Sequence, residues 1–172
     1  MPIIDVDFGD DVVVSHPDLV NLYGCAIGSG SRIGPFVEIQ RGSRIGRPCK
    51  ISSHTLICEG VVLEDEVLMI AHGVVFTNDR MPRAARPEVS REAQAWPREA
   101  TVVRRGASIG SSATIGCGIE IGTFAVVSCG SVAMRDVPAR AVVAGVPACV
   151  IGHAGANATA PRLFETVLGE TS

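Results

Sequence analysis

Residues 25–46 read CAIGSGSRIGPFVEIQRGSRIG and place an isoleucine at every sixth position. The same spacing continues beyond this stretch and resumes after an interruption, at Ile27, Ile33, Ile39, Ile45, Ile51, Ile57, Leu63, Met69 and Val75, and then at Val103, Ile109, Ile115, Ile121, Val127 and Ala133. Two positions before each member of the first run stands a second small or β-branched residue, namely Cys25, Ser31, Val37, Ser43, Cys49, Thr55, Val61, Val67 and Gly73. We predict that both sets point into a core.

A period of six fits neither an amphipathic helix nor a meander with irregular turns. It fits a three-sided coil in which each hexad forms one flat side and three hexads complete a turn. Successive turns then stack about 4.8 Å apart as parallel strands. Glycine often follows the aliphatic residue, as at Gly28, Gly34 and Gly46, and suits corners that need positive φ or close backbone approach. The sequence therefore predicts an all-β parallel β-helix.

Composition agrees with thin, regular layers, because 47% of the 172 residues are hydrophobic but only 4% are aromatic. A net charge of −3 gives no basic footprint, which argues against a nucleic-acid or anionic-membrane partner. The acidic start and the lack of an apolar run long enough to span a membrane favour a soluble, cytoplasmic protein. The six cysteines form no C-x-x-C pair, so we expect them to be small buried residues rather than zinc ligands or a redox pair.

The repeat is interrupted once, since the spacing between Val75 and Val103 is not a multiple of six. The sequence predicts a charged insert at about 77–100 that leaves the coil and serves as a binding loop. We expect one β-helix domain over 1–152 and a C-terminal tail over 153–172, with a short helix near 161–168.

The repeat over residues 20–152 resembles the hexapeptide-repeat acyltransferases, whose left-handed parallel β-helix is an exception to the right-handed crossover rule. The segments at 23–25, 35–40, 52–61, 72–74 and 76–84 resemble one branch of that family, which acetylates the 3-amino group of nucleotide-linked amino sugars. The resemblance implies acetyl-CoA as co-substrate, a UDP- or dTDP-linked amino sugar as acceptor, and a homotrimer with active sites between subunits. It also implies that Asn78 lies near the reacting amine, and that Asp79, Arg80, Arg83 and Glu38 bind the substrate.

An amine that attacks a thioester must lose a proton, and a side-chain base helps without being obligatory. The candidates are His54, Glu59 and His72, each of which has a plain alternative interpretation as a corner residue bonded to backbone or solvent. Because His54 and His72 are three hexads apart, simple counting predicts that they stack on one edge. The run from Val67 to Gly73 is one residue longer than its counterpart in the family, and a bulge there would shift that stacking.

The later hexads resemble the family's coenzyme A wall. The resemblance assigns the cofactor to Arg104, Arg105, Gly106, Ser111, Gly118 and Arg140, with arginines meeting phosphates. An exposed arginine pair is otherwise an ordinary charged face. The position that usually carries Arg or Lys after Pro-Ala is Cys149 here, and Arg140 or a neighbouring subunit is the expected substitute.

Three other interpretations stay open. A trimeric metalloenzyme of the γ-carbonic-anhydrase kind shares the fold and binds zinc through three histidines. This chain has four, at His16, His54, His72 and His153, with no second histidine close to any of them on the coil, so no metal is expected. The other interpretations are an O-acetyltransferase on a small hydroxyl acceptor and a non-catalytic scaffold.

Overall fold

The chain forms a three-sided parallel β-helix in a computed structural model that describes residues 2–67, 69–80 and 99–155, with only the backbone of Met69. Its three faces, here named A, B and C, are sheets of very short strands. Face A contains β1 (Ile3–Ile4), β4 (Asn21–Tyr23), β7 (Glu38–Ile39), β10 (Leu56–Ile57), β13 (Val75–Phe76), β16 (Thr114–Ile115) and β19 (Val132–Ala133). Face B contains β2 (Asp7–Phe8), β5 (Ala26–Ile27), β8 (Arg44–Ile45), β11 (Val62–Leu63), β14 (Val102–Val103) and β17 (Glu120–Ile121).

Face C contains β3 (Val13–Val14), β6 (Arg32–Ile33), β9 (Lys50–Ile51), β12 (Met69–Ile70), β15 (Ser108–Ile109), β18 (Val126–Val127), β20 (Ala141–Gly145) and β21 (Ala148–His153). A 3₁₀ helix at Pro17–Leu19 is the one helical element in the described part of the chain. The strands of each face pair in parallel, apart from the antiparallel β20–β21 hairpin. No helix among the described residues is long and apolar enough to cross a membrane.

The predicted hexads form the core. On face B, Ile27, Ile45 and Leu63 follow one another on consecutive coils, each at most 4% exposed. The second inward set, from Cys25 to Val67, is equally buried. Each coil thus places aliphatic side chains against those of the coils above and below, and burial of these columns is the main stabilising term. The inward positions and their period of six were therefore predicted correctly from Cys25 to Val67 and again from Val103 onward.

One coil is longer than the others, and this corrects part of the predicted pattern. Lys50 N still bonds Val67 O at 3.2 Å, but Ile51 pairs with Ile70 rather than with the expected Met69. An additional residue is therefore accommodated between Val67 and Ile70. After it, the residues with no exposed surface are Ile70, Val74 and Phe76. The predictions for Gly73 and Val75 are wrong by one position, and Ile70 takes the core place predicted for Met69.

The glycines after the aliphatic residues are needed for close approach. A Cβ on Gly46 would lie 2.6 Å from Asp65 N on the next coil, so any side chain there would push two coils apart. Positive φ values occur instead at residues further along each corner, such as Gly60, whose φ is +79°.

The predicted insert leaves the helix between faces A and B. Consecutive inward residues of the repeat are otherwise six positions apart, but Phe76 on face A and Val103 on face B are separated by a much longer stretch. Residues 81–98 of the insert and residues 156–172 of the tail, including the predicted helix near 161–168, lie outside the described residues.

The cysteine prediction holds for four of the six. Cys25, Cys49, Cys58 and Cys117 are buried, but Cys129 and Cys149 are exposed. Cys25 and Cys49 occupy inward hexad positions and Cys58 and Cys117 are buried at corners, whereas Cys129 is an exposed corner residue and Cys149 lies in the final hairpin.

Candidate functional site

The candidate residues lie on the edges where two faces meet. The A–B edge comprises the corner residues 40–42, 58–60, 77–80 with 99–100, and 116–118. The C–A edge comprises 34–36, 52–54, 71–73 and 110–112, and the B–C edge comprises 46–48, 64–66, 104–106, 122–124 and 138–140. Each edge is a column of corner residues stacked coil upon coil.

The A–B edge brings Glu59 and Asn78 onto consecutive coils. Leu56 pairs with Val75, so the residue three places after each occupies the same corner position, which is Glu59 below and Asn78 above. Asn78 is exposed and Glu59 is half-buried. The sequence prediction that these two residues share a site is thus compatible with the register of one chain.

A hydrogen-bonded chain of side chains lies below this pair. Glu59 N donates to Gln40 Oε1 at 3.3 Å, and Gln40 Nε2 donates to Glu38 Oε1 at 2.7 Å. The pKa of Tyr23 is raised, first by burial and then by the neighbouring Glu38 carboxylate, and burial followed by Glu38 likewise raises the pKa of the Cys58 thiol. Glu59 on this edge and Glu38 beside it on face A supply two carboxylates that can attract the ammonium form of an amine, with the guanidinium of Arg41 as the opposing charge near Tyr23.

Arg80 anchors the root of the insert on the same edge. Its guanidinium pairs with the carboxylate of Glu99, and Nη2 also donates to Cys117 O at 3.3 Å. Gly118 faces this ion pair, because a Cβ built on Gly118 would collide with Glu99. The space predicted for coenzyme A beside Gly118 is occupied here by the insert's own side chains. Asp79 is half-buried, and Arg83 lies outside the described residues.

The C–A edge carries both candidate histidines, but not stacked on each other. The longer coil places His72 above Ser53, with His72 Nδ1 and Ser53 Oγ 2.8 Å apart, while Gly73 stands above His54. His54 adopts positive φ, at 60°, and its ring stacks on Phe36 with centroids 4.7 Å apart. The predicted His54–His72 stack is wrong, because counting in whole hexads missed the additional residue.

Face A separates the histidines from Asn78. The path from His72 to Asn78 follows one hexad of extended chain, which at about 3.3 Å per residue amounts to roughly 15–20 Å. Two side chains so far apart do not contact one amine. One chain therefore assembles Glu59 with Asn78 on one edge, and Ser53 with His72 on another. Sequence reasoning missed Ser53, since its contact depends on the coil length.

The residues assigned to the coenzyme A wall are spread over all three edges. Ser111 lies on the C–A edge, Gly118 on the A–B edge, and Arg140 on the B–C edge with Arg104–Gly106. Arg140 lies over the Phe124 ring, 5.3 Å from its centroid, and the same ring covers Gly106. The residues assigned to coenzyme A therefore do not form one continuous wall within a single chain.

Arg104 and Arg105 both form ion pairs on exposed surface. Arg104 bridges Glu64 and Glu120 across three coils, and Arg105 pairs with Glu66. The hydrogen bond from Arg104 lowers the pKa of Glu120, and the hydrogen bonds to Glu120 and then Glu64 raise the pKa of Arg104. These pairs tie coils together, so a phosphate that binds there has to compete with carboxylates. Two open grooves of about 400 and 410 Å³ also lie beside the B–C edge.

Within residues 2–67, 69–80 and 99–155, no three His, Cys, Asp or Glu side chains converge as a metal site.

The chain is similar in sequence to several acetyltransferases. It is 45% identical over 53 residues to the dTDP-3-amino-3,6-dideoxy-alpha-D-galactopyranose 3-N-acetyltransferase of Aneurinibacillus thermoaerophilus, covering 31% of this chain and 28% of that enzyme. It is 28% identical over 123 residues to the serine acetyltransferase of Salmonella typhimurium, covering 70% and 40%. It is 32% identical over 124 residues to serine acetyltransferase 4 of Arabidopsis thaliana, covering 67% and 29%. The chain thus spans 28–40% of the length of these relatives.

Solved structures show the same fold. A single-residue variant of AntD, an N-acyltransferase from Bacillus cereus, in complex with dTDP and coenzyme A, superposes with a TM-score of 0.74 at 18% identity, covering 86% of this chain and 83% of that one. AntD in complex with dTDP and 3-hydroxybutyryl-CoA gives a TM-score of 0.57 at 15% identity, covering 87% and 83%. No family model matches the chain. The hexad repeat, the three-sided coil and the likeness to these solved structures show the β-helix fold of the hexapeptide-repeat proteins, and in sequence the chain is similar to acetyltransferases.

Proposed function

We propose that this protein is an N-acetyltransferase that moves the acetyl group of acetyl-CoA to the amine, at C3, of a UDP- or dTDP-linked amino sugar. The observation that carries the proposal is the 45% identity over 53 residues with a dTDP-linked 3-amino-sugar N-acetyltransferase. The N-acyltransferase AntD has the same fold, and its solved structure is a complex with dTDP and coenzyme A, which supports the proposal that this fold carries such a reaction. In this proposal residues 1–152 form the catalytic domain, with an insert at about 77–100 and a tail at 153–172.

The carboxylates at the A–B edge suit an amine substrate. Glu59, one coil below Asn78, draws the ammonium group to the edge and accepts a hydrogen bond from it. The neutral amide of Asn78 does not act as a base, so its role is to hold the amine with its lone pair towards the thioester. Glu38, held by Gln40, and Asp79 then contact the sugar nucleotide.

The histidines act from a second subunit in this proposal. Face A separates His54 and His72 from Asn78 within one chain, so in this proposal a homotrimer brings the C–A edge of one subunit opposite the A–B edge of its neighbour. The site then contains Asn78 and Glu59 of one subunit and His72 of its neighbour. Coenzyme A lies in the same interface, with Ser111 near the pantetheine arm and Arg140 near the phosphates.

Transfer to a hydroxyl is the second candidate, because the two serine acetyltransferases match 70% and 67% of the chain. A hydroxyl is a far weaker nucleophile than an amine at neutral pH, so such an acceptor needs the histidine base more strictly. The carboxylates beside the A–B edge favour an amine over an uncharged hydroxyl acceptor, whereas L-serine carries an ammonium group of its own and has to be distinguished by the acceptor test.

The acceptor class is tested by thiol release from acetyl-CoA in the presence of single acceptors. We expect release with dTDP- or UDP-linked 3-amino sugars, and little with the free amino sugars or with L-serine. Release with L-serine alone would favour the second candidate. Failure of coenzyme A to bind at millimolar concentration would favour a scaffold, and stoichiometric zinc in the purified protein would favour the metalloenzyme.

A further inference from the structure

We propose that Ser53 is the positioning residue of His72, and that it makes His72 Nε2 the proton acceptor of the reaction. This inference rests on the proposed function and extends it, because Ser53 is not among the residues to which the sequence resemblance gives a role. The juxtaposition is direct, since Ser53 Oγ lies 2.8 Å from His72 Nδ1. Ser53 itself is half-buried, whereas His72 is exposed and available to a substrate.

The backbone holds the two residues in place from both sides. Gly73 N donates to Ser53 O at 3.0 Å, so the corner of His72 is fixed to the corner of Ser53 below it. Ser112 N donates to His72 O at 2.8 Å from the coil above. Corner residues tied into two ladders have little freedom, so the imidazole orientation is set mainly by its one side-chain hydrogen bond.

The hydrogen bond has to run from histidine to serine for the base to work. A neutral imidazole has one donor nitrogen and one acceptor nitrogen. If Nδ1–H donates to Ser53 Oγ, the lone pair is on Nε2, on the side of the ring away from the serine. This arrangement also survives protonation, because Nδ1 carries a proton in both states of the ring. The opposite arrangement leaves Nε2 protonated and unable to accept.

His54 is in a different environment although it is the next residue after Ser53. Its ring stacks on Phe36, and its ring nitrogens form no side-chain hydrogen bond within the described part of the chain. By register, His54 stands beside His72 on the coil below, and Ser111 and Ser112 stand near it on the coil above. The serine contact therefore distinguishes His72 from His54 as the base.

The amine lone pair attacks the thioester carbonyl carbon and forms the C–N bond. His72 Nε2 then takes one N–H proton from the amine. The ring becomes an imidazolium, and its Nδ1–H still donates to Ser53 Oγ. The C–S bond breaks, coenzyme A leaves as a thiolate, and the imidazolium returns its proton to that sulfur. The products are the amide and the free thiol, and His72 ends neutral.

The test replaces Ser53→Ala and Ser53→Thr in the full chain, with Ser29→Ala as the matched control. Ser29 occupies the equivalent position at the corner between β5 and β6, where faces B and C meet, and its hydroxyl accepts from Asp10 N at 3.1 Å. We expect Ser53→Ala to lower kcat about 3- to 10-fold with KM within about twofold, because orientation of the base is lost while binding is kept. Ser53→Thr, which retains the hydroxyl, should recover most of this loss, and Ser29→Ala should match the wild type.

Two further readouts separate positioning from a general structural effect. The effect of Ser53→Ala should disappear in a His72→Gln background, since a residue that acts through His72 has nothing left to orient. Nitrogen-15 NMR of the substrate-free protein should show His72 with a protonated Nδ1 in the wild type and in Ser53→Thr, and a changed tautomer in Ser53→Ala. An unchanged tautomer, or equal losses with and without His72, would overturn the proposal. Because NMR needs no acceptor, it tests Ser53 even if the proposed reaction fails.

Discussion

Asn78 concentrates the proposed chemistry at a single side chain, and its replacement gives a sharp kinetic prediction. Asn78→Ala should lower kcat about 100-fold while the Kd for coenzyme A stays within about twofold, because misplacing the amine affects reaction geometry but not cofactor contacts. Steady-state kinetics and calorimetric titration with coenzyme A measure the two quantities. Asn21→Ala, which replaces an asparagine on β4 of face A, is the control and should keep wild-type kcat. An Asn78→Ala enzyme with unchanged kcat would remove Asn78 from the site.

Individual residues also show where sequence reasoning ends. That Glu59 and Asn78 share an edge follows from their equal distances from Leu56 and Val75, once the coil register is known. The Ser53–His72 contact does not follow from any spacing of three hexads. It exists because one additional residue between Val67 and Ile70 turns an expected His54–His72 stack into a serine–histidine pair.

Among the elements, the hexad is the unit that determines the fold. Its period predicts three faces, the inward columns and the place of the insert, because each of these follows from counting alone. The pattern leaves one position ambiguous where apolar residues adjoin. Residues 67–70 read Val-Leu-Met-Ile, so an apolar residue fills the core position in either register, and hydrophobicity gives no signal of the shift.

Gly46 tests the stacking of these elements. Gly46→Ala should destabilise the protein by about 1–3 kcal/mol, since a Cβ there would lie 2.6 Å from the backbone nitrogen of Asp65 on the next coil. Gly152→Ala is the matched control, because a Cβ on Gly152 meets nothing within 4 Å, and it should unfold like the wild type. Chemical denaturation followed by circular dichroism measures both. Equal stability of the two variants would mean that the coils do not approach as closely as the structure shows.

For the whole molecule, the arrangement of edges determines how a complete site can form. Glu59 and Asn78 lie on the A–B edge, while Ser53 and His72 lie on the C–A edge, roughly 15–20 Å away across face A. A single chain therefore presents two halves of the proposed site rather than one site. Closed rotational symmetry repeats the same contact around the oligomer, so each subunit would give one half to each of two neighbours.

Mixing two defective proteins, His72→Ala and Asn78→Ala, by co-refolding at equal amounts tests whether the site is shared, with a nucleotide-linked 3-amino sugar as acceptor. If the halves come from different subunits, random assembly leaves about a quarter of the sites with an intact His72 and an intact Asn78. The mixture should then recover about a quarter of wild-type thiol release and exceed the mean of its two parents. A mixture no more active than that mean would contradict a site shared between subunits.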